Sequence, residues 1–532
     1  MTQSKGTPPK GAKEGQEQPS GISIKGLLGH TSIYAIAPLF QRFLAIILVR
    51  LYTEKLSTPE WGIIGLIDLM LGLLPIIVAT SLVAGLSRHY FVHDDEGDRS
   101  SVVSSVMIAT IAATGLISAL VLTFKERVAE MLFTSANHAV GAGSEYETFV
   151  VLCALIFPLA MISTVGYEAL QVEKRSKAIV KITVTKTLFE SALKLVFLFA
   201  LGMGVKGFLY AILVGEALTA VGLFVFVAKR HGLRMNWRTF MPLLRYSAPL
   251  IPVGAFQLGL HQADKLLIER LGPEEVVKIV DDVPLTGAMQ WLGTYSFGYQ
   301  IPFLLHVAAV GSFMRIWRPN VFAVRDDASR APDVIRIGTL VLLAIAFGQT
   351  IVAIFAREGV TLLAGDPSYY EAARVVPWIA AGYIAYAGFS LGQAALMSVF
   401  ATRTLAAING VALAINLGLN LLLIPGYGII GAASATVVSF TSLALMTAFA
   451  ATRRKMQPFG WRVLPAAGVV IATATWLAIQ VDANFGAWSP AALALKGIVA
   501  LTAAFGLFWV IPPTLRSSIL SSLRPRTAAA ES

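Results

Sequence analysis

The residues with most chemistry to offer are charged side chains set inside long apolar runs: Arg42, Asp68, Lys186, Glu190, Lys194, Glu216, Asp264 and Lys496. A charge in such surroundings is costly unless it meets a partner or a wet cavity, so each points to function or to a buried ion pair. Arg42 carries a planar guanidinium that suits phosphate oxygens; the alternative is a pairing with a structural carboxylate such as Asp68. Lys186, Glu190 and Lys194 recur at i, i+4 and i+8, which stacks them on one helix face with Glu190 able to bridge either lysine. That face reads as a salt-bridged ladder that lets a helix insert, or as a cationic wall that receives an anion. Asp68 and Glu216 read as lone carboxylates, either proton carriers or hydrogen-bonded structural acids. Asp264-Lys265 follows His261 by one turn near the end of its run. Interfacial snorkelling is the expected role there, with ion coupling at Asp264 as the alternative. Lys496 is expected to face lipid headgroups or a partner helix.

Other chemistry is missing from the sequence. No G-x-x-x-x-G-K-[ST] string cradles a nucleotide phosphate, and no His/Cys cluster has metal-site spacing. Cys153 is the single cysteine, which excludes a disulfide framework. Gly202-x-Gly204-x-x-Gly207 matches a dinucleotide fingerprint as a string but lies between two apolar runs rather than after a strand. Neither a cofactor nor a metal is expected.

The elements that must position these side chains are transmembrane helices. The chain has 532 residues, 56% hydrophobic and only 14% charged, with a mean hydropathy of +0.70. Soluble domains carry nearer 25% charge, so this composition excludes a secreted enzyme, a cytosolic globule and a disordered chain. A ruler of about 20 apolar residues finds about fourteen spans, near 31–51, 62–86, 101–123, 148–167, 178–201, 207–228, 246–270, 292–314, 336–356, 375–399, 404–424, 429–450, 463–481 and 490–511. Residues 1–22 are expected to be disordered. The first apolar run is too long for a cleaved signal and lacks a small-residue cleavage site, so it is expected to stay as helix one.

Charge sets the expected orientation. With the N-terminus in the cytoplasm, 28 of the 42 Lys and Arg residues fall on the cytoplasmic side, ten on the other and four inside spans. That bias predicts both termini inside. It also absorbs the net charge of +11, which then reports cytoplasmic loops rather than nucleic acid.

A weak internal repeat organises the spans. Leu56-Ser57-Thr58-Pro59-Glu60-Trp61-Gly62 after helix one is echoed by Leu271-Gly272-Pro273-Glu274-Glu275 after helix seven, with the matching glycine delayed to Gly293. Gly202-x-Gly204-x-x-Gly207 is echoed by Gly426-x-Gly428-x-x-Gly431. Six helices separate each pair, an even number, so the copies share one orientation about an axis along the membrane normal. The expected architecture is all-α and polytopic: an N-lobe (23–230) and a C-lobe (231–455) around a central cavity, a helix pair (456–514) and a cytoplasmic tail (515–532). Residues near 276–290 read as an insertion in the second copy.

At these residues the sequence resembles the Wzx-type oligosaccharide flippases, the polysaccharide-transporter branch of the multidrug/oligosaccharidyl-lipid/polysaccharide exporter superfamily. The resemblance is carried by Leu27-Leu28-Gly29-His30-Thr31-Ser32-Ile33-Tyr34 with 51–62, by Leu244-Arg245-Tyr246-Ser247-Ala248-Pro249-Leu250 and by Ala263-Asp264-Lys265-Leu266-Leu267-Ile268. Gly365-Asp366-Pro367-Ser368-Tyr369-Tyr370-Glu371 also matches. The most specific stretch is Asn416-Leu417-Gly418-Leu419-Asn420, running on to Pro425 and 431–436. The 273–291 connection is longer than in most members.

The resemblance implies a bacterial inner-membrane flippase, with no enzyme activity, that moves undecaprenyl-diphosphate-linked oligosaccharide by alternating access. Its partners would be that lipid-linked substrate, membrane lipids and polysaccharide polymerase or chain-length machinery, with no nucleic acid. Arg42, on a helix that lines the central cavity in this family, becomes the first candidate for a diphosphate contact. Lys186, Lys194, His306 and Arg315 are the others, and Arg315 equally fits an ordinary loop anchor. Asp68, Glu190, Glu216 and Asp264 are the candidates for ion coupling. A multidrug exporter of the same superfamily and a membrane polysaccharide polymerase or ligase are the alternatives. The former would want an acidic cavity and the latter a large extracytoplasmic loop.

Overall fold

A computed structural model describes residues 40–41, 43–78, 82, 84–92, 95–134, 144–247, 251–272, 287–326, 328–511, 513 and 516. The expected disordered N-terminus, Arg42, most of the 276–290 insertion and most of the tail lie outside the described residues. Among those described there is no strand, and eight helices are long and apolar enough to cross a membrane. In lipid the backbone has no water to bond, so a chain this apolar must satisfy its amides within helices. The protein is an all-helical, multi-pass membrane protein.

The helices run in order. Residues 40–41 and 43–55 form α1, followed by α2 (Thr58–Val78), α3 (Ala84–Val92), α4 (Glu96–Thr123), α5 (Lys125–Leu132) and α6 (Glu145–Val172). Next come α7 (Ser176–Leu195), α8 (Gly204–His231), α9 (Trp237–Ser247), α10 (Ile251–Leu271) and α11 (Ala288–Asp326). The chain closes with α12 (Ala331–Ile354), α13 (Ala356–Leu363), α14 (Val376–Ser398), α15 (Thr402–Arg453), α16 (Leu464–Asn484) and α17 (Pro490–Val510). Each expected span from 101–123 onward coincides with helix, within about five residues except at α11, which runs on to Asp326. The short α5, α9 and α13 fall below the 20-residue ruler, which is why hydropathy passes over them.

Two expected spans merge into α15, which is broken at Gly428 by φ 54° and ψ −132°. Its repeat partner Gly204 opens α8 with φ 53°. Only glycine takes this left-handed backbone without a Cβ penalty, and at both sites it turns a span back on itself. The neighbours correspond too. A Cβ on Gly204 would meet Glu60 at 2.7 Å, and one on Gly428 would meet Trp291 at 3.2 Å. Each hairpin glycine therefore packs on the start of the second helix of its own repeat, α2 or α11.

Packing gathers α4, α6, α7 and α8 on one side and α10, α11, α12, α14 and α15 on the other. α2 joins them, contacting α6 as well as α10 and α11. α9 lies on α3 and α4, and the α16–α17 pair packs on α12. Lys496 of α17 is fully buried, with Nζ 2.7 Å from Glu358 Oε2 of α13 and 2.7 Å from Asp482 Oδ1 of α16. Of its two expected surroundings it takes the protein partner, because two carboxylates replace the water that the ammonium loses.

Candidate functional site

Three helices each turn one stripe into a cavity of about 340 Å³. α2 contributes Trp61, Ile64, Gly65 and Asp68; α10 contributes Leu258, His261, Gln262 and Lys265; α11 contributes Ser296, Tyr299, Gln300 and Phe303. Each set runs i, i+3, i+4, i+7, the spacing that keeps side chains on one helical face. Phe208 of α8 and Tyr383 of α14 complete the wall. Between Trp61 and Met70 only Asp68 is exposed, with its carboxylate open to the cavity. Lys265 lies within electrostatic reach of Asp68, so the wall presents both signs. Gln262 Oε1 and Ser296 Oγ, also on the wall, are buried without a hydrogen-bond partner among the described residues.

On the wall and behind it lie two hydrogen-bonded clusters. Asp264 is buried and accepts from the Tyr295 hydroxyl and from Thr436 Oγ1 at 3.4 Å. The Tyr383 hydroxyl donates to Tyr299 Oη at 3.0 Å, and Tyr299 Oη lies 3.2 Å from His261 Nδ1. His306 packs tilted against Tyr383 and edge-on to Tyr386, with ring centroids 4.9 and 5.2 Å apart. On the arm of α15 before its Gly428 break, Asn420 donates to Asn416 at 3.0 Å.

The α7–α8 side uses charge instead. Lys186 pairs with Glu216 of α8, which also accepts from Ser163 Oγ of α6 at 3.1 Å. Glu190 packs against Gly215 of α8. Lys194 Nζ stands 4.1 Å from the ring centroid of Phe208, directly behind the cavity wall.

One end of the cavity is closed. α2 and α11 cross where the repeat-matched glycines meet, so a Cβ on Gly62 would lie 3.1 Å from Gly293 N, and one on Gly293 would lie 1.8 Å from Thr58 O. Residues 50–58 then clasp residues 361–369. Arg50 Nη1 donates to Leu362 O at 2.6 Å, and Gly365 N–H donates to Thr53 Oγ1 at 2.8 Å. Thr58 Oγ1 and Ser368 Oγ are 2.6 Å apart, and the Tyr369 hydroxyl donates to Leu56 O at 2.8 Å. Burial, with Glu60 and Asp366 nearby, pushes the Tyr369 pKa above its ordinary range and keeps that hydroxyl a donor.

Several expectations change against this geometry. The ladder does not form within α7: Lys186 takes Glu216 across the helix pair, because α8 presents a carboxylate at hydrogen-bonding range. Glu216 is therefore not a lone acid. Asp264 and Lys265 do not snorkel; they are 1% and 7% exposed inside the bundle. His306 is buried among aromatic rings rather than set on the cavity wall. Of the expected site residues whose side chains are described, Asp68 alone lines the cavity, with Asp264 and Lys194 immediately behind it. Arg42 lies outside the described residues, and α11 carries Arg315. Sequence reasoning missed Trp61, Gln262, Ser296, Tyr299, Gln300 and Tyr383. The signal available for most of them was the shared i, i+3, i+4, i+7 stripe, which mixes polar and aromatic residues on three otherwise apolar helices.

A polar cavity between two helical groups, closed at one end by crossing helices, is the candidate site of this multi-pass membrane protein. The chain belongs to the polysaccharide biosynthesis protein family, whose profile matches residues 47–373. No curated relative matches the sequence. Among solved structures the fold is similar to that of the lipid II flippase MurJ in an inward closed conformation, with a TM-score of 0.68 at 12% identity, covering 89% of this chain and 98% of that one. It is similar also to an inward-facing multidrug resistance MATE family transporter of the MOP superfamily, with a TM-score of 0.61 at 14% identity, covering 79% and 98%. A MOP superfamily transporter from Pyrococcus furiosus gives a TM-score of 0.54 at 13% identity, covering 80% and 94%. The expected family and fold class are thus met: this is a polysaccharide biosynthesis protein with a MOP-type fold.

Proposed function

We propose that the protein flips undecaprenyl-diphosphate-linked oligosaccharide across the bacterial inner membrane for a cell-surface polysaccharide such as O-antigen, capsule or exopolysaccharide. The observation that carries the reading is the cavity between the two helical groups, closed at the Gly62–Gly293 end and lined by both charge and amide groups. Lys265 supplies positive charge to the diphosphate, joined by Arg42, the first candidate from the sequence. Gln262, Gln300 and Ser296 offer hydrogen bonds to sugar hydroxyls. Lobes 23–230 and 231–455 rock about this cavity, and the clasp of residues 50–58 on 361–369 opens as the far end closes. No bond is made or broken, so the activity is transport rather than catalysis. Membership of the polysaccharide family and the likeness to a lipid II flippase support a lipid-linked substrate. The mixed charge of the wall argues against a cation exporter, whose cavity would be acidic.

Asp68 and Asp264 are the ion-coupling carboxylates of this scheme, with Glu190 and Glu216 in support. Transport that continues undiminished after the ion gradient is collapsed would remove that part. The deciding experiment locates lipid-linked oligosaccharide in a deletion strain. The expected result is cytoplasmic accumulation, relieved by the wild-type chain and not by Lys265→Gln or Arg42→Ala. Periplasmic accumulation of unpolymerised units would indicate a polymerase or ligase, and no accumulation would indicate a multidrug exporter.

A further inference from the structure

At the end of the bundle opposite the clasp, the linker from α8 to α9 is sewn onto α4 by a face of serines. Ser104 Oγ donates to Arg234 O at 2.8 Å, Ser105 Oγ accepts from Asn236 N–H at 2.9 Å, and Ser101 Oγ lies 3.3 Å from Thr239 Oγ1. Ser100 Oγ lies 3.3 Å from His231 Nδ1. The seam leaves an open pocket of about 460 Å³ whose wall carries two arginines, Arg234 and Arg238, beside Ser100, Ser101, Asn236 and Trp237. Among the described residues no acidic side chain lines it. Three nearby carboxylates are occupied elsewhere. Arg230 holds both Glu96 and Glu173 at 3.1 Å, and Asp95 caps α4 by accepting the Asp98 N–H. Arg234 and Arg238 have no ion-pair partner among the described residues.

The helix that follows says where a ligand comes from. α9 buries Thr239, Phe240, Leu243 and Ser247, while Trp237 is 63% and Met241 38% exposed on its other side, flanked by the exposed Arg238 and Arg245. A short helix with apolar side chains on its free face and arginines beside them lies in a membrane interface, with tryptophan at headgroup depth. Trp237 and Arg238 belong both to that face and to the pocket wall. We propose that this pocket binds the phosphate of an anionic lipid headgroup from the adjacent leaflet, tying the segment between the two helical groups to the membrane surface. A phosphate diester offers acceptor oxygens to both guanidinium groups and to the serine hydroxyls, which a zwitterionic headgroup offers only against its own positive charge.

The test uses the full chain in nanodiscs of phosphatidylcholine with and without phosphatidylglycerol, read by native mass spectrometry of retained lipid and by thermal unfolding, with inorganic phosphate as a separate arm. The expected result is retention of phosphatidylglycerol over phosphatidylcholine by about tenfold, lost in the Arg234→Gln/Arg238→Gln double variant and kept in Arg245→Gln, which changes charge on α9 outside the pocket. If the double variant does not reconstitute, Arg238→Gln alone gives a partial loss of the same preference. Equal loss in Arg245→Gln would reduce the effect to diffuse surface charge and overturn the site. So would a double variant that reconstitutes with its preference intact. Stabilisation by inorganic phosphate with no preference between lipids would make it a free-anion site and overturn the lipid assignment.

Discussion

Lys174 and Phe400 stand 226 residues apart, at the ends of α6 and α14, and both hold left-handed backbone with φ 59° and 55°. Each closes its helix with the same pair of hydrogen bonds: Lys174 N–H to Gln171 O and Arg175 N–H to Leu170 O, against Phe400 N–H to Met397 O and Ala401 N–H to Leu396 O. Gly204 and Gly428 repeat the correspondence at the opposite end. The two halves thus share their backbone turns nearly position for position. They differ in what stands at the cavity. The first half sets an ion pair behind it, Lys186–Glu216, with Lys194 over an aromatic ring. The second sets a neutral hydrogen-bonded chain of His261, Tyr299 and Tyr383 on the wall itself, with Asp264 held separately by Tyr295 and Thr436. Turns are retained because backbone geometry tolerates few residues, whereas a cavity wall accepts any polar group that finds a partner. A repeated frame therefore does not imply repeated chemistry.

That comparison predicts unequal responses. The largest belongs to the charged half. Glu216→Ala leaves Lys186 uncompensated and is expected to cost about 3 kcal/mol, read as a lowered thermal midpoint. The Lys186→Met/Glu216→Gln pair should recover most of it, and a full loss in the double variant would mean that the contrast with the neutral half is misplaced. The next effect tests symmetry. Gly62→Val and Gly293→Val are expected to cost about 1–3 kcal/mol each through overpacking at the α2–α11 crossing. A large cost at one site alone would show that the crossing is not shared evenly between the halves. The smallest effect belongs to the neutral half: Tyr383→Phe removes one hydroxyl and should cost about 1 kcal/mol, with little change in transport of lipid-linked oligosaccharide. A transport defect as severe as that of Lys265→Gln would show that this hydroxyl of the wall takes part in the proposed transport rather than only shaping the cavity.

Much of the frame was legible in the sequence. Hydropathy placed the spans because a helix must be apolar over the thickness of the bilayer, and Gly204 and Gly428 marked their turns because a positive φ there favours glycine. The site was less legible. A charge inside a span announces that it has a partner but not which one: Lys186 was expected to meet Glu190 one turn away and instead meets Glu216 on the neighbouring helix. Asp264 and Lys265 sit near a helix end, where snorkelling is the ordinary outcome, yet both face inward.

The sequence by itself determined that the chain is helical, spans a membrane many times and is built from two copies of one pattern. These are local properties, set by residue type and period along the chain. The tertiary structure decided which charges pair, which stripe of each helix faces the cavity, and that Gly62 and Gly293 meet at its closed end. Those outcomes depend on how helices distant in sequence rotate and approach one another, and an ångström of approach there decides whether a carboxylate finds a lysine.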